Sequence, residues 1–508
     1  MSTPEPTPIA DEAQTETADA VLVRRSRIAR LFGFSEPTES GLRLAKILAM
    51  MIPVFSISFQ ISTTFYMIFI AETLGGGSYI AGLSLVGVLV VIQLGTQTAL
   101  DYPTGALGDW IGQRYVIASA MVTYGVAFML TSTVTDTTPF FVFAIIYALF
   151  GFGGSQESGA FGAWFDNNYR VAMPHDKDRK QYGVFMGKLG MIGQITATLV
   201  LIPGSWLALV FSRTWVFSVQ AVLCMVLAIM VMILIKDLPG VRETSEGKPS
   251  ASEYKSLLKD GVKFLYSDKF IIFITLGEIL LFATGPVWWN LLLFPLYFSY
   301  LLTDVAVSSY RTLIFLPAAG FQERTGVWSA RFEPKKWIPR FRFIQFNGFV
   351  MFMLLGVVTF FFATPPPTAE MFQVLIPFTN LAIIEIPAVA LLPVGLMFVI
   401  FIVCGIFGGL AGILTQRVMI DVVPNRIRNS MYSLKPTLIL LVSIPLIVFF
   451  GWAIPIFGFP FTFTICAFIA LFGTLSIWKA FTYPIPKAEM ITTATEKEVA
   501  EVEVLEVT

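Results

Sequence analysis

Three ionisable side chains sit inside stretches that are otherwise apolar: Glu157 in "GFGGSQESGAF", Glu278 in "FITLGEILLF" and Arg311 in "AVSSYRTLIFL". An ion near the middle of a bilayer costs roughly 2.5–3.5 kcal/mol on insertion scales, so such a residue faces a cavity or a partner. Glu157 lies nine residues before Asp166, beside Ser155, Gln156 and Ser158; along a helix that is ~13 Å of depth. Glu278 lies nine residues past Lys269, at a similar depth, and Arg311 follows Asp304 by two turns. Burial favours the neutral form of a carboxylate and a neighbouring cation the charged form, so a change of solvation or partner makes it take up or release a proton. Arg311 would supply that cation to Glu278 in one state. The single histidine, His175, falls in the polar string "AMPHDKDRKQ", which excludes a histidine relay inside the membrane.

Uncharged polar residues extend the pattern. Ser56, Gln60, Thr63 and Thr64 recur at spacings of three and four, one polar stripe on an apolar helix. With Gln156, Glu157, Glu278, Asn290 and Arg311, Gln60 and Thr64 are the candidate cavity residues, and Glu157 and Glu278 the candidate proton carriers. Plainer readings stand beside these. Glu157 can be held neutral by the adjacent serines, Glu278 can merely neutralise Arg311, and Asp101 and Asp166 can be structural. Trp288 and Trp289 suit an interface belt as well as a substrate wall, and Pro203, Pro286, Pro295 and Pro317 more often kink helices than bind anything.

The elements that must position these residues follow from composition. Of 508 residues, 56% are hydrophobic and 13% charged, with mean hydropathy +0.74, against roughly 25% charged in soluble domains. Apolar runs long enough to cross a ~30 Å hydrocarbon core fall at 47–71, 79–100, 115–134, 139–163, 184–206, 214–235, 270–296, 304–323, 343–363, 391–416, 434–456 and 460–481. They are continuously apolar rather than alternating, which selects helices over a barrel. A further run, 372–390, contains Pro377, Glu385 and Pro387. Counting it as a span would put Arg417, Arg426, Arg428 and Lys435 outside. With twelve spans and both termini cytoplasmic, all of the 34 Lys and Arg except Arg213 and Arg311 fall on the cytoplasmic side, as short loops require. The expectation is an all-α, multi-pass protein of the cell membrane.

Residues 1–40 and 484–508 have the acidic, aromatic-poor composition of tails that cannot bury a core. The patch "RRSRIAR" (24–30) beside the first span reads as a topology signal touching anionic lipid rather than as a nucleic-acid site. The first apolar run is too long for a cleavable signal peptide. A linker at 236–269 divides the chain into six-helix halves, 41–235 and 270–483, the second carrying an extracytoplasmic insertion at about 364–391. The halves read as repeats: "GALGDWIGQR" (105–114) and "GVWSARFEPKKW" (326–337) hold corresponding places, with Ala330 where the first copy has Asp109. Cys224, Cys404 and Cys466 all lie in expected spans, without metal or disulfide spacing.

The string at 105–114 reads as a tight cytoplasmic turn in which Gly105 and Gly112 let helices approach. There Asp109, Arg114 and Asp166, with Asp101, would latch helices that move relative to one another. With Gly105, Asp109, Gly112 and Arg114 in this order, the chain resembles the major facilitator superfamily over about 45–482. "DYPTGALGD" (101–109) and "SGAFGAWFD" (158–166) resemble the DxPTG…D and SGAxxAWxxD motifs of one broad set of these transporters, although Gly162 stands where that set often has glutamate, and Gln113 where a second basic residue is usual.

The resemblance implies a secondary transporter working by alternating access, with spans one, four and seven lining the cavity. It is expected to carry a small molecule, to be coupled to an ion, most readily the proton, and to be of efflux type, monomeric, in contact with lipid but not nucleic acid. The alternatives are an importer of a small anionic solute with Arg311 as its contact, and a transport-inactive scaffold or sensor that kept the fold. An enzyme is not expected, since no nucleophile with a histidine base is apparent. No cofactor or metal is expected, and no GxxxxGK[ST] string is present for direct ATP drive.

Overall fold

The structure, a computed structural model, describes residues 27–32, 34, 37–176, 180–239, 241, 259–424 and 428–486. Residues 1–26 and 487–508, most of the linker and the first residues of the basic patch lie outside the described residues. The expected N-terminal tail is corrected at its end: Arg27–Phe32 is helical, and Phe32 and Phe34 are buried against Phe185, because these apolar side chains find a place in the first-half core.

Among the described residues twelve helical spans follow one another, each helical because a backbone in hydrocarbon must satisfy its own hydrogen bonds. Span 1 is Glu39–Gln60 continued by Tyr66–Leu74. Spans 2 to 6 are Tyr79–Ile111, Gln113–Ser132, Phe140–Ala172, Lys180–Val210 and Arg213–Leu234. Span 7 runs from Lys269–Val287 through a π-turn, Trp288–Leu292, into Leu293–Leu301. Span 8 is Asp304–Ser329, span 9 is Phe349–Phe361 preceded by the helix Pro334–Ile344, and span 10 is Leu391–Val422. Spans 11 and 12 share Arg428–Ala480, broken at Gly458, whose φ of 74° suits glycine.

Several helices outrun the apolar stretches that announce them. Span 2 stays helical through Ile111, so the expected tight turn at 105–114 shrinks to one residue, Gly112, at φ 105°. Span 9 departs from expectation in the other way: its run is interrupted at 345–348. Asn347 takes φ 59° there, a left-handed conformation that asparagine tolerates, and Phe346 N donates to Cys404 O at 2.9 Å.

Residues 371–387 are not a helix. Met371–Leu375 (β1) and Ala382–Pro387 (β2) pair antiparallel, with Gln373 opposite Glu385. Pro377 lies in the turn between them, where its missing N–H costs nothing. We call the face that carries this hairpin the hairpin face, and the opposite one, where Glu39 and Ala480 lie, the terminal face.

The buried apolar residues form two clusters. One joins the second half to the hairpin-face ends of the first through Ile68, Leu83, Val90, Phe143 and Phe217. The other, with Leu48, Val116, Trp164, Phe185 and Leu227, belongs to the first half alone and extends to the terminal face. The halves therefore share a core near one face and not near the other. Spans 2 and 11 meet within the shared part: a Cβ on Gly451 would lie 3.1 Å from Leu83 O and 3.4 Å from the Cα of Gly87. Glycine at both positions lets the two backbones come this close without a shift.

Candidate functional site

Hydrogen bonds between the halves, among side chains that the structure describes, gather at the hairpin face. Arg213, which opens span 6, donates through Nε to Asp304 Oδ2 at 2.8 Å and through Nη2 to Asp304 Oδ1 at 2.7 Å, and its Nη1 reaches Glu72 Oε2 at 2.5 Å. Asp304 opens span 8 and Glu72 closes span 1, so one guanidinium ties three spans and both halves. Its fork matches a carboxylate with two parallel bonds.

Deeper in the seam, Ser308 Oγ lies 3.0 Å from Thr64 Oγ1 and 2.5 Å from Ser205 Oγ, and Ser205 Oγ also donates to Asp304 O at 3.1 Å. Tyr79 OH meets Ser299 Oγ at 2.9 Å. The hairpin closes the seam from above, because Trp206 Nε1 of the first half donates to Ala382 O at 2.8 Å. Glu385, buried in β2, accepts from Thr303 Oγ1 and Gln373 Nε2, both at 3.0 Å. Thr64 is thus a seam residue, not a free wall of the cavity.

Towards the terminal face the packing loosens. Along span 8 every residue from Val305 to Arg311 is buried, Thr312 to Phe315 are half-buried, and Leu316, Ala318 and Gly320 are exposed. In the middle of span 2, Leu89 and Val90 are buried, Val91 to Gln97 half-buried, and Thr98 and Ala99 exposed. Contacts between the halves are thus denser at the hairpin face than in the middle of these two spans.

Glu157 and Gln60 are half-buried, and Glu157 has no hydrogen-bond or ion-pair partner among the described residues. Gln156 is buried and accepts from Thr123 Oγ1 at 3.4 Å. Asn290 lies in the π-turn of span 7, its Nδ2 donating to Pro286 O at 2.8 Å. π-turns recur at functional sites because they re-aim side chains within a helix.

The expected pairing of Glu278 with Arg311 is corrected. Glu278, 2% exposed, receives Arg342 Nη2 on Oε1 at 3.0 Å and Lys435 Nζ on Oε2 at 2.5 Å. Arg342 also donates to Gln345 Oε1 and Thr415 Oγ1, each at 2.9 Å. The break in span 9 explains this, since it brings Arg342 alongside span 7 while Lys435 reaches in from the start of span 11. Arg342 and Lys435 sit at the edges of their apolar runs, where they pass for loop charges.

Arg311 instead has three aromatic rings around it. Its guanidinium carbon lies 5.6 Å from the ring centre of Trp289, 5.1 Å from that of Phe294 and 4.8 Å from that of Phe315. Its Nε is buried without a partner, as is the hydroxyl of its neighbour Thr312.

The expected latch is described only in part. The side chain of Asp109 lies outside the described residues. Arg114 stacks on Tyr115 and donates to its hydroxyl at 2.6 Å, and Asp166 pairs with Arg170 at 2.9 Å. Asp101 accepts from Ser158 Oγ at 3.0 Å, and Thr104 Oγ1 donates to Ser155 O at 2.9 Å, joining spans 2 and 4. Gly105 is helical, with open space where a Cβ would stand.

The residues of the hairpin-face clasp, Glu72, Arg213 and Glu385, were not singled out from sequence. Arg213 carried the one available signal, as the only basic residue in the expected extracytoplasmic loops.

Comparison with known proteins places this geometry. The profile of the Major Facilitator Superfamily matches residues 47–394. A D-xylose-proton symporter has a similar structure over 87% of this chain and 98% of its own, at 13% identity and a TM-score of 0.59. The inward open conformation of the xylose transporter XylE from E. coli is similar over 88% of this chain and 99% of its own, at 13% identity and 0.56. A mutant of the nucleoside transporter NupG is similar over 85% and 100%, at 12% identity and 0.58. At such identities the likeness is one of fold. No curated protein matches the chain.

Proposed function

The chain belongs to the Major Facilitator Superfamily, and on that premise we propose that it carries a small solute across the membrane by alternating access, with Glu157 binding and releasing the coupling proton. The observation that supports this reading most is the one-sided seam: polar and apolar contacts join the halves at the hairpin face, and Glu157, half-buried in span 4, has no partner among the described residues. In such transporters the two halves rock about a central site.

The terminal face is read as cytoplasmic, because the span order leaves only Arg213 and Arg311 on the other side. Cysteines placed at Tyr266 and Thr368, both exposed, in a protein without its three native cysteines, should be labelled from opposite sides of the membrane. Labelling from one side alone would refute the twelve-span orientation. When the hairpin face opens, the terminal face must close, and to that closure we assign Asp101, Gly105, Asp109, Gly112, Arg114 and Asp166.

Glu157 is preferred to Glu278 as the proton carrier. Both oxygens of Glu278 are taken by cations, whereas those of Glu157 are available to a proton on each turn of the cycle. The solute that most stabilises the purified protein, from a thermal-shift panel of sugars, nucleosides, amino acids and organic acids, is then followed in proteoliposomes under an imposed pH gradient. The unaltered protein should concentrate it. Antiport, the mode of the efflux expected from sequence, fills the acidic compartment, whereas symport, the mode of the D-xylose-proton symporter, fills the alkaline one. Glu157→Gln should keep binding and downhill exchange and lose accumulation. Undiminished accumulation by Glu157→Gln would remove Glu157 from the coupling.

A further inference from the structure

We propose that the aromatic cage around Arg311 binds the carboxylate of an organic acid whose body is flat, apolar and about the size of one ring; this rests on the transport reading above and names its substrate class. The cations inside the bundle contrast with one another. Arg342 has Glu278, Gln345 and Thr415, Arg213 has Asp304 and Glu72, and Lys435 has Glu278. Arg311 is 7% exposed, and no group among the described residues accepts a hydrogen bond from it. A buried guanidinium without an acceptor is costly, and cation–π contact offsets only part of that cost. The fold therefore keeps a binding capacity that it does not itself use.

Position shows how a solute would reach it. Arg311 is the last of the unbroken buried residues of span 8, one turn below Ser308, where the hydroxyl seam between the halves ends. It therefore sits where the continuous burial of span 8 ends, at the inner edge of the seam, which we place at the closed end of the transport path. Trp289 beside it is 48% exposed, a large ring face left uncovered next to a cation.

The chemistry of the site selects its ligand. A guanidinium fork takes a planar carboxylate through two parallel bonds, and the hydroxyl of Thr312 offers a further polar contact. Trp289, Phe294 and Phe315 favour a flat apolar body, which stacks on ring faces. A neutral sugar would leave the guanidinium unpaired and meet ring faces with hydroxyls. A ligand seated there also lies directly under the seam, so its binding bears on whether the halves stay joined.

The test uses the purified full-length protein with benzoate, phenylacetate and 4-hydroxybenzoate as probes, each against its amide, which keeps the shape and loses the charge. The acids should raise the melting temperature and the amides should not. Arg311→Gln should bind the acids at least tenfold more weakly, Arg311→Lys should fall between, and Trp289→Ala should weaken all three. Equal stabilisation by acids and amides, no stabilisation by any acid, or undiminished acid binding in Arg311→Gln would overturn the proposal. Should Arg311→Gln fail to fold, the acid–amide comparison in the unaltered protein and Trp289→Ala still decide it. Arg311-independent binding and flux of a sugar or nucleoside would overturn the acid assignment and leave transport standing. Acid binding with no flux in proteoliposomes would do the reverse.

Discussion

Arg213→Gln is expected to open the hairpin face. A cysteine at Ser299, where the first half's Tyr79 now covers the hydroxyl, should react at least tenfold faster with an impermeant maleimide once Arg213 is lost. The reason is local. Arg213 is the one cation between Asp304 and Glu72, and its removal leaves two carboxylates facing each other in the seam. The three side chains are 21%, 15% and 33% exposed, so the 3–5 kcal/mol typical of a broken buried pair must be discounted for solvent screening to about 1.5–3 kcal/mol. That shifts a two-state equilibrium roughly ten- to a hundredfold. Adding Asp304→Asn to Arg213→Gln should recover part of the slow reactivity, because it removes one of the stranded charges. Unchanged reactivity in Arg213→Gln would mean that the hydroxyl and apolar contacts alone hold the seam.

The largest loss of stability is expected from Glu278→Gln. Arg342, 4% exposed along its side chain, would keep Gln345 and Thr415 as acceptors but lose its only counter-charge. An uncompensated buried charge costs about 3–5 kcal/mol. Glu278→Gln should therefore unfold at a markedly lower temperature, and the double replacement Glu278→Gln with Arg342→Gln should be more stable than the single one. A double variant no better than the single one would mean that shape, not charge, sets the cost. The outcome also separates the two carboxylates, since Glu157→Gln removes no pairing and should leave the melting temperature nearly unchanged.

The spans were legible because hydrocarbon imposes a length and a uniform apolarity that few other constraints imitate. Chemistry inside the membrane was legible as residue type and depth: Glu157, Glu278 and Arg311 stand out in any apolar run. Pairing was not legible, because it depends on packing between distant segments. Glu278 meets Arg342 across 64 positions and Arg213 meets Asp304 across 91. Arg311 was the tempting partner for Glu278 because it lies farther inside an apolar run than the other basic residues, whereas Arg342 is buried by the break in span 9. That break depends on Asn347 adopting a left-handed conformation, which a hydropathy pattern does not register. The hairpin is a similar case. "FQVLIPFTNLAIIEIP" is apolar enough to suggest a span, yet Pro377 in a turn and a buried Glu385 facing Gln373 suit two short strands better than one helix.

The most direct measurement is of distances across both faces at once, by double electron–electron resonance in lipid nanodiscs. Spin labels at Thr137 and Thr368 report the hairpin face, and labels at His175 and Arg331 the terminal face; all four residues are exposed. Alternating access predicts opposite changes at the two faces. Arg213→Gln should lengthen the Thr137–Thr368 distance and shorten the His175–Arg331 distance, and Asp109→Asn, which weakens the proposed latch, should favour the reverse. Distributions at the two faces that stay fixed in both variants, or that lengthen together, would contradict a carrier whose halves rock about a central site.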